Sequence, residues 1–322
     1  MKDLSAAAAL RLLLVGQGAA VLLVAALLIA RGWTPAAACA AAVGLLVLVR
    51  ALVVTNNFRM SARAASAVPP ECRPGLAGWL RLWGEEFAAS MLQSSWYTPR
   101  GAARQVIFED TAALPVLLLH GYGCNSGFWQ QLGARLEAAR ISHATVDLGP
   151  VTGDIDGYGV QVAAAAESLL AASGAAQLNI VAHSMGGLAA RAWLRNDPHA
   201  LARTARLITL GTPHHGTVLA NLGVGLNARQ MRCSKAGEPS AWLRALAAGE
   251  SAAARARMVS IWTYHDNIVA PQRSSCLDGA TNIALSGVGH VALGSNRRVL
   301  DCVLRQLQAG GRVDSAAPRQ VC

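Results

Sequence analysis

From about residue 104 the chain alternates short apolar runs of strand length with longer amphipathic stretches. This is the pattern of a mostly parallel sheet with helices laid against it. The runs Arg104–Phe108, Pro115–His120, His143–Leu148, Leu178–Ala182, Arg206–Leu210, Met258–Tyr264 and Thr281–Leu285 predict strands. Phe128–Ala139, Gly159–Ala172, Gly186–Arg195 and Asn296–Gln308 predict helices. The alternation stops between about Thr212 and Arg257, where Gly, Asn and small apolar residues crowd together, and this predicts an insertion over one end of the sheet.

Ahead of this region the pattern changes. Leu12–Ala30 is an uncharged apolar run and Ala36–Val54 is a second, broken only by Arg50; each is long enough to cross the hydrocarbon of a bilayer. Arg31-Gly32-Trp33-Thr34-Pro35 between them suits a tight turn, with Pro35 opening the second helix and Trp33 at the interface. The expectation is a transmembrane helical hairpin. A cleaved signal peptide competes for the first run, but its apolar core exceeds the usual length and a second run follows at once. Lys2 and Arg11 precede the hairpin, Arg50, Arg59 and Arg63 lie at or beyond its end, and Arg31 alone sits in the turn. By the positive-inside rule both ends and the large domain then face the cytoplasm, by a margin small enough to keep the periplasmic face open.

Ser61–Pro74, rich in Ala, Ser and Pro, reads as a linker. After it Trp79, Trp83, Phe87 and Met91 recur every four residues, with Leu76 and Leu80 beside them. That spacing makes one apolar helix face, which either lies on the bilayer or packs on the following domain. The chain thus divides into a two-helix anchor over 1–60, a linker and amphipathic helix over 61–103, and an α/β domain over 104–322.

Composition narrows the choice of partners. With 53% hydrophobic and 14% charged residues, the chain is too apolar for disorder. The net charge of +10 is almost wholly arginine, since Lys2 and Lys235 are the only lysines. The arginines are scattered singly, without the clustered stripe that nucleic acid requires. Seven cysteines form no CxxC and no metal-ligand spacing. No metal or cofactor is expected, and the partners are a membrane and a small substrate.

In an open parallel sheet, chemistry collects beyond the carboxyl ends of the strands. Ala182-His183-Ser184-Met185-Gly186-Gly187 follows the strand Leu178-Asn179-Ile180-Val181 and precedes a strong helix former, Leu188–Leu194. A serine on so sharp a strand-to-helix turn needs small residues two positions away on either side, and Ala182 and Gly186 supply them. A serine hydroxyl is a poor nucleophile alone; it needs a base within reach and a carboxylate to orient that base. Of the later carboxylates (Asp197, Glu238, Glu250, Asp266, Asp278, Asp301, Asp314), Asp266 sits just past a strand end, and Asp278 could replace it only if that strand were misplaced. Of the later histidines (His199, His214, His215, His265, His290), His290 alone follows both a strand and the acid, in the glycine-flanked Ser286-Gly287-Val288-Gly289-His290. His183 is expected to point away, and His214-His215 to shape a loop. The turn His120-Gly121-Tyr122-Gly123 ends an early strand, so the backbone N–H groups of Tyr122 and Met185 are the candidate oxyanion donors.

These residues resemble those of the α/β-hydrolases, and more narrowly the bacterial triacylglycerol lipases and esterases with an Ala-His-Ser-Met-Gly serine motif. The resemblance covers about residues 112 to 308, and Gly211-Thr212-Pro213-His214-His215-Gly216 is similar to a further segment of these lipases. It implies an α/β-hydrolase fold with a lid insertion at about Val218–Gly249. It also implies an esterase or lipase acting on acylglycerols or related lipids, with Ser184, Asp266 and His290 as catalytic residues and Tyr122 and Met185 as the oxyanion hole. A thioesterase or acyltransferase using the same triad is the alternative. Some secreted relatives carry a disulfide near lid and acid, where Cys233 and Cys276 could stand; that pairing would contradict a cytoplasmic domain. With the hairpin, the resemblance implies a bacterial inner-membrane protein.

Overall fold

The computed structural model describes residues 5–309; Lys2, Asp314 and the last residues of the 104–322 span lie outside the described residues. Seven strands form one sheet: β1 (Gln105–Val106), β2 (Val116–Leu119), β3 (His143–Val146), β4 (Leu178–His183), β5 (Thr204–Leu210), β6 (Met258–Thr263) and β7 (Thr281–Leu285). Their order is β1-β3-β2-β4-β5-β6-β7, parallel throughout except for β1 against β3. Each expected strand is present. The chain leaves β2 toward β3 on one side and returns to β4 on the other, so a crevice opens at the carboxyl ends of β2 and β4.

The central strands are buried on both faces, which is why they read as unbroken apolar runs rather than alternating ones. All four residues of β2 are inaccessible. Leu117, Leu119, Ile180 and Ala182 pack with Leu188 and Trp193 on one side; Val116, Leu118, Val181 and Ile208 pack with Val299 and Val303 on the other.

Two antiparallel helices precede this domain, α1 (Ala6–Ala30) and α2 (Pro35–Ala62), joined by a turn with Gly32 at φ 90°. Ala25, Ala38 and Ala42 let them pack closely, with Val21, Val24 and Leu28 around them. Both helices are long and apolar enough to cross a membrane, and only 6% and 17% of their most apolar stretches are buried in the protein. In the next helix, α3 (Leu76–Leu92), the aromatic stripe packs partly on the following domain and partly on α2. Trp79 meets Phe58 edge-on at 6.1 Å, the Trp83 indole N–H donates to Thr55 Oγ1 at 2.9 Å, and Phe87 stacks on Trp83. Trp79 also meets His265 of the α/β domain edge-on at 5.7 Å, so the stripe is shared between α2 and that domain, while Leu82 and Glu86 are buried and Leu76 and Leu80 stay exposed.

The span expected as a lid, Val218–Gly249, divides at Ser240. Beyond that residue, the helix Ala241–Ala248 buries Leu243 and Leu246 in the core. Ser240 caps it, and the i, i+3 spacing of the two leucines makes it an ordinary amphipathic helix of the domain body. Only the earlier part overhangs the sheet, with Leu222, Val224 and Leu226 exposed.

Candidate active site

Ser184 follows β4 directly and has φ 53° and ψ −124°. A non-glycine residue held there stores about 1–3 kcal/mol of backbone strain. Tight packing enforces the conformation. A Cβ on Gly186 would lie 2.6 Å from the carbonyl oxygens of both Leu119 and His120, and one on Gly121 would lie 2.9 Å from the Ser184 Cβ. The Ser184 N–H donates to the Leu210 carbonyl at 2.9 Å, and the Thr212 hydroxyl donates to the Ser184 carbonyl at 2.9 Å. The helix Met185–Asn196 starts immediately after, so its first-turn amides and the positive end of its dipole point toward the serine.

Asp266 and His290 are brought together from the loops after β6 and β7. His290 Nδ1 donates to Asp266 Oδ2 at 2.8 Å. The other carboxylate oxygen, Oδ1, accepts the amides of Ile268 (2.8 Å) and Val269 (2.7 Å), so the carboxyl group cannot rotate freely. The His290 amide donates to Asn267 Oδ1 at 3.0 Å. Gly211, at the end of β5, stands beside the pair; a Cβ there would lie 3.0 Å from Asp266 Oδ2 and 3.2 Å from His290 Nδ1.

His183 does more than point away from the serine. Its ring lies 4.6 Å from that of His290, and its Nε2–H donates to the His290 carbonyl at 3.1 Å. Phe128 stacks on its other face at 4.1 Å. Burial pushes its pKa well down, so the ring stays neutral and acts as a fixed support. His120 is likewise neutral by burial, donating to the Gly121 carbonyl (2.8 Å) and accepting the Leu148 amide (2.9 Å). His214 sits between Thr209 and the buried Arg191, whose guanidinium forms a two-pronged pair with Glu250. Cys233 and Cys276 are both free thiols, so the disulfide that the resemblance offered is not formed; burial pushes the Cys233 thiol up to about 11.

Ser184 opens into an apolar cavity of about 260 Å³ walled by Tyr122, Leu219, Leu222, Met231 and Val269. Two further wall residues, Asn57 and Met60, come from α2. The Tyr122 amide has no hydrogen-bond acceptor among the described residues, and Met185, first in its helix, has none within that helix. The Tyr122 hydroxyl donates to the Val224 carbonyl at 2.8 Å and accepts the Val224 amide at 3.1 Å, fastening this turn to the overhanging segment. The Ser184 hydroxyl makes no hydrogen bond to His290 among the described residues. What the rim offers is a serine, a bonded Asp–His pair, an apolar cavity and two amides, the set that acyl transfer requires once the serine and imidazole meet.

Sequence reasoning missed Glu86, because it weighed only carboxylates that follow the serine. The side chain is fully buried on α3 and accepts the amides of Val291 (3.1 Å) and Ala292 (2.9 Å), the two residues after His290. A charged residue four positions after Leu82, on a face that buries, was the available signal. Burial pushes the Glu86 carboxyl up, against the pull of the two amides. At His290 burial lowers the pKa, but the charge and hydrogen bond of Asp266, helped by Glu86, outweigh it and leave it raised.

A histidine base works only when neutral, so ester turnover should rise as pH passes a value above the ordinary histidine one. Glu86→Gln removes a negative charge near the imidazole. The acid limb of kcat/KM should then move to lower pH, while Glu85→Gln leaves it in place. A pH–rate profile on a soluble ester checks this, and an unmoved or upward-shifted limb would contradict it.

Comparison with known proteins bears on the fold and the family. A model of the alpha/beta hydrolase family matches residues 116–309. The triacylglycerol lipase of Burkholderia plantarii is 34% identical over 137 residues, 37% of this chain and 36% of that protein. That of Pseudarthrobacter phenanthrenivorans is 34% identical over 121 residues, 33% and 35% respectively. The chain thus spans about a third of the length of the curated relatives it matches. Among solved structures, the mature Bacillus licheniformis lipase BlEst2 superposes with TM-score 0.54 at 19% identity, covering 64% of this chain and 97% of that one. Aspergillus fumigatus lipase B gives TM-score 0.52 at 18% identity, covering 62% and 53%. With a matched region that includes six of the seven strands and both sheet-end loops carrying Ser184 and His290, the chain belongs to the alpha/beta hydrolase family.

Proposed function

We propose that this protein is a membrane-anchored serine hydrolase that cleaves carboxylic esters of lipids through an acyl-enzyme. The observation that carries the reading is a strained serine at a helix N-terminus, lining an apolar cavity, on the same rim as the bonded Asp266–His290 pair. The names of the lipase relatives agree with it.

In this mechanism Ser184 Oγ attacks the ester carbonyl while His290 Nε2 takes its proton. Asp266 holds Nδ1–H and balances the imidazolium charge. The carbonyl oxygen, now negative, is met by the Tyr122 and Met185 amides. His290 returns the proton to the departing alcohol, and water, deprotonated by the same ring, releases the acid. The acyl chain occupies the cavity between Leu219, Met231 and Val269. No step calls on a metal or cofactor.

The hairpin α1–α2 is the anchor, and the arginine distribution favours a catalytic domain on the cytoplasmic face of an inner membrane. The testing experiment offers p-nitrophenyl esters of increasing acyl length, with and without a detergent interface, beside matched thioesters. Turnover should be faster on oxyesters and increase when an interface is present. A fluorophosphonate probe should label Ser184. Absence of both turnover and labelling would overturn the proposal, and preference for thioesters would move it to the thioesterase alternative.

A further inference from the structure

Arg50 is a charge within an otherwise apolar stretch of α2, and such residues are costly and mark sites of function. Among the described residues its guanidinium is held by neutral groups. One nitrogen donates to Gln17 Oε1 of α1 at 2.5 Å; another donates to Ser95 Oγ at 2.6 Å, Ser94 Oγ at 3.2 Å and Met91 Sδ at 3.4 Å. No carboxylate pairs with it among the described residues. Among the described residues the cation is oriented but not balanced.

Arg50 lines a cavity of about 380 Å³ enclosed by α1, α2 and α3. Leu13, Val53 and Phe87 make it apolar; Gln17, Ser90 and Ser94 add polar groups around the guanidinium. Asn57 lines both this cavity and the one at Ser184. The oxyanion turn divides them as well, with Tyr122 on the serine side and Gly123 on the arginine side. Arg50, Val53, Asn57 and Met60 recur at helical spacing, so one face of α2 serves both chambers. Two turns of helix, about 10 Å, separate Arg50 from Asn57, a gap that a long arginine side chain narrows.

Depth in the membrane fits the same picture. Toward the turn from Gln17 and Arg50, no hydrogen bond or aromatic contact ties the hairpin to the rest of the described chain. The free arms, residues 18–30 and 35–49, are each about 20 Å of helix, against hydrocarbon about 30 Å thick. A bilayer crossed by this hairpin therefore reaches past Arg50 to the apolar edge of the second chamber. Lipid can enter sideways.

We propose that the second chamber takes the phosphate head group of an anionic glycerophospholipid whose acyl ester is presented to Ser184, so that the substrate class is phosphoglyceride rather than neutral acylglycerol. The inference rests on the esterase reading of Ser184 and adds a leaving group to it. A planar guanidinium with hydroxyl and amide neighbours suits phosphate oxygens. Cleavage remains the acyl transfer to water described above, with the lysophospholipid departing as the alcohol.

The test uses the full-length protein in mixed detergent micelles, with phosphatidylglycerol and diacylglycerol of identical acyl chains. The wild type should cleave phosphatidylglycerol at least about tenfold faster. Arg50→Gln should bring the ratio of the two rates near one, and Arg50→Lys should retain part of the preference. A ratio left unchanged in Arg50→Gln overturns the head-group proposal, and so does an Arg50-dependent effect of millimolar inorganic phosphate on diacylglycerol cleavage without any phosphatidylglycerol preference, which would assign the site to a free anion. Wild-type turnover of p-nitrophenyl butyrate without any phospholipid preference overturns this inference and leaves the esterase reading intact. No turnover of any ester overturns both.

Discussion

Alanine at position 184 is expected to lower ester turnover by about five to six orders of magnitude while the protein stays folded. The fold loses little, because the Ser184 hydroxyl donates no hydrogen bond to a protein group among the described residues, and its backbone contacts to Leu210 and Thr212 do not involve the side chain. Alanine has the same Cβ, so the strain at φ 53° is unchanged. A stability change under about 1 kcal/mol is expected on that account. Residual activity would come from the amides and the cavity, which act on any nucleophile including water. The check is kcat/KM on a p-nitrophenyl ester beside a thermal melt. Full turnover with an intact melt would remove Ser184 from the mechanism and the esterase reading with it.

Asp266→Asn is expected to cost about 10⁴ in kcat, for a reason specific to this site. Oδ1 of the native carboxylate accepts two backbone amides, from Ile268 and Val269. An asparagine must keep its carbonyl oxygen on that side, since an NH₂ group there would face two other donors. Its NH₂ then meets His290 Nδ1, which becomes an acceptor and leaves the proton on Nε2, the atom that must be free to receive the serine's. The imidazole stays in place and holds the wrong tautomer. A near-native melt with about four orders of magnitude lower kcat, and an acid limb moved to lower pH as the raising effect of Asp266 on His290 is lost, is the expected signature. A loss of tenfold or less would mean that the carboxylate neither selects the tautomer nor balances the charge.

What could be foreseen depended on whether the cause was local. The strands were legible because burial on both faces makes them continuous apolar runs, as Val116–Leu119 illustrates, and Gly or polar loops bound them. The serine turn was legible because its steric demands fall on neighbours in sequence, Gly186 above all. The meeting of Asp266 with His290 followed from both lying just past a strand end in one parallel sheet. The partners of α3 were not legible. Its four-residue spacing specified a helix, yet nothing in that spacing says that Trp79 and Trp83 would meet Phe58 and Thr55 of α2. Glu86 could be marked as a charge on a burying face, but its partners could not be named, since the amides it accepts lie about two hundred residues further along the chain. The insertion was visible as a break in alternation, but its division at Ser240 rests on Leu243 and Leu246 reaching the core.

Asn57 and Met60 give the N-terminal helices a consequence beyond attachment. A tether can be exchanged for another tether of equal grip, but a tether that also walls the acyl chamber cannot. On the proposed function, the last turns of α2 answer to two demands at once, the lipid outside and the ester inside. Location and selectivity would then be a single trait, and a change that freed the protein from its surface would also alter what it accepts.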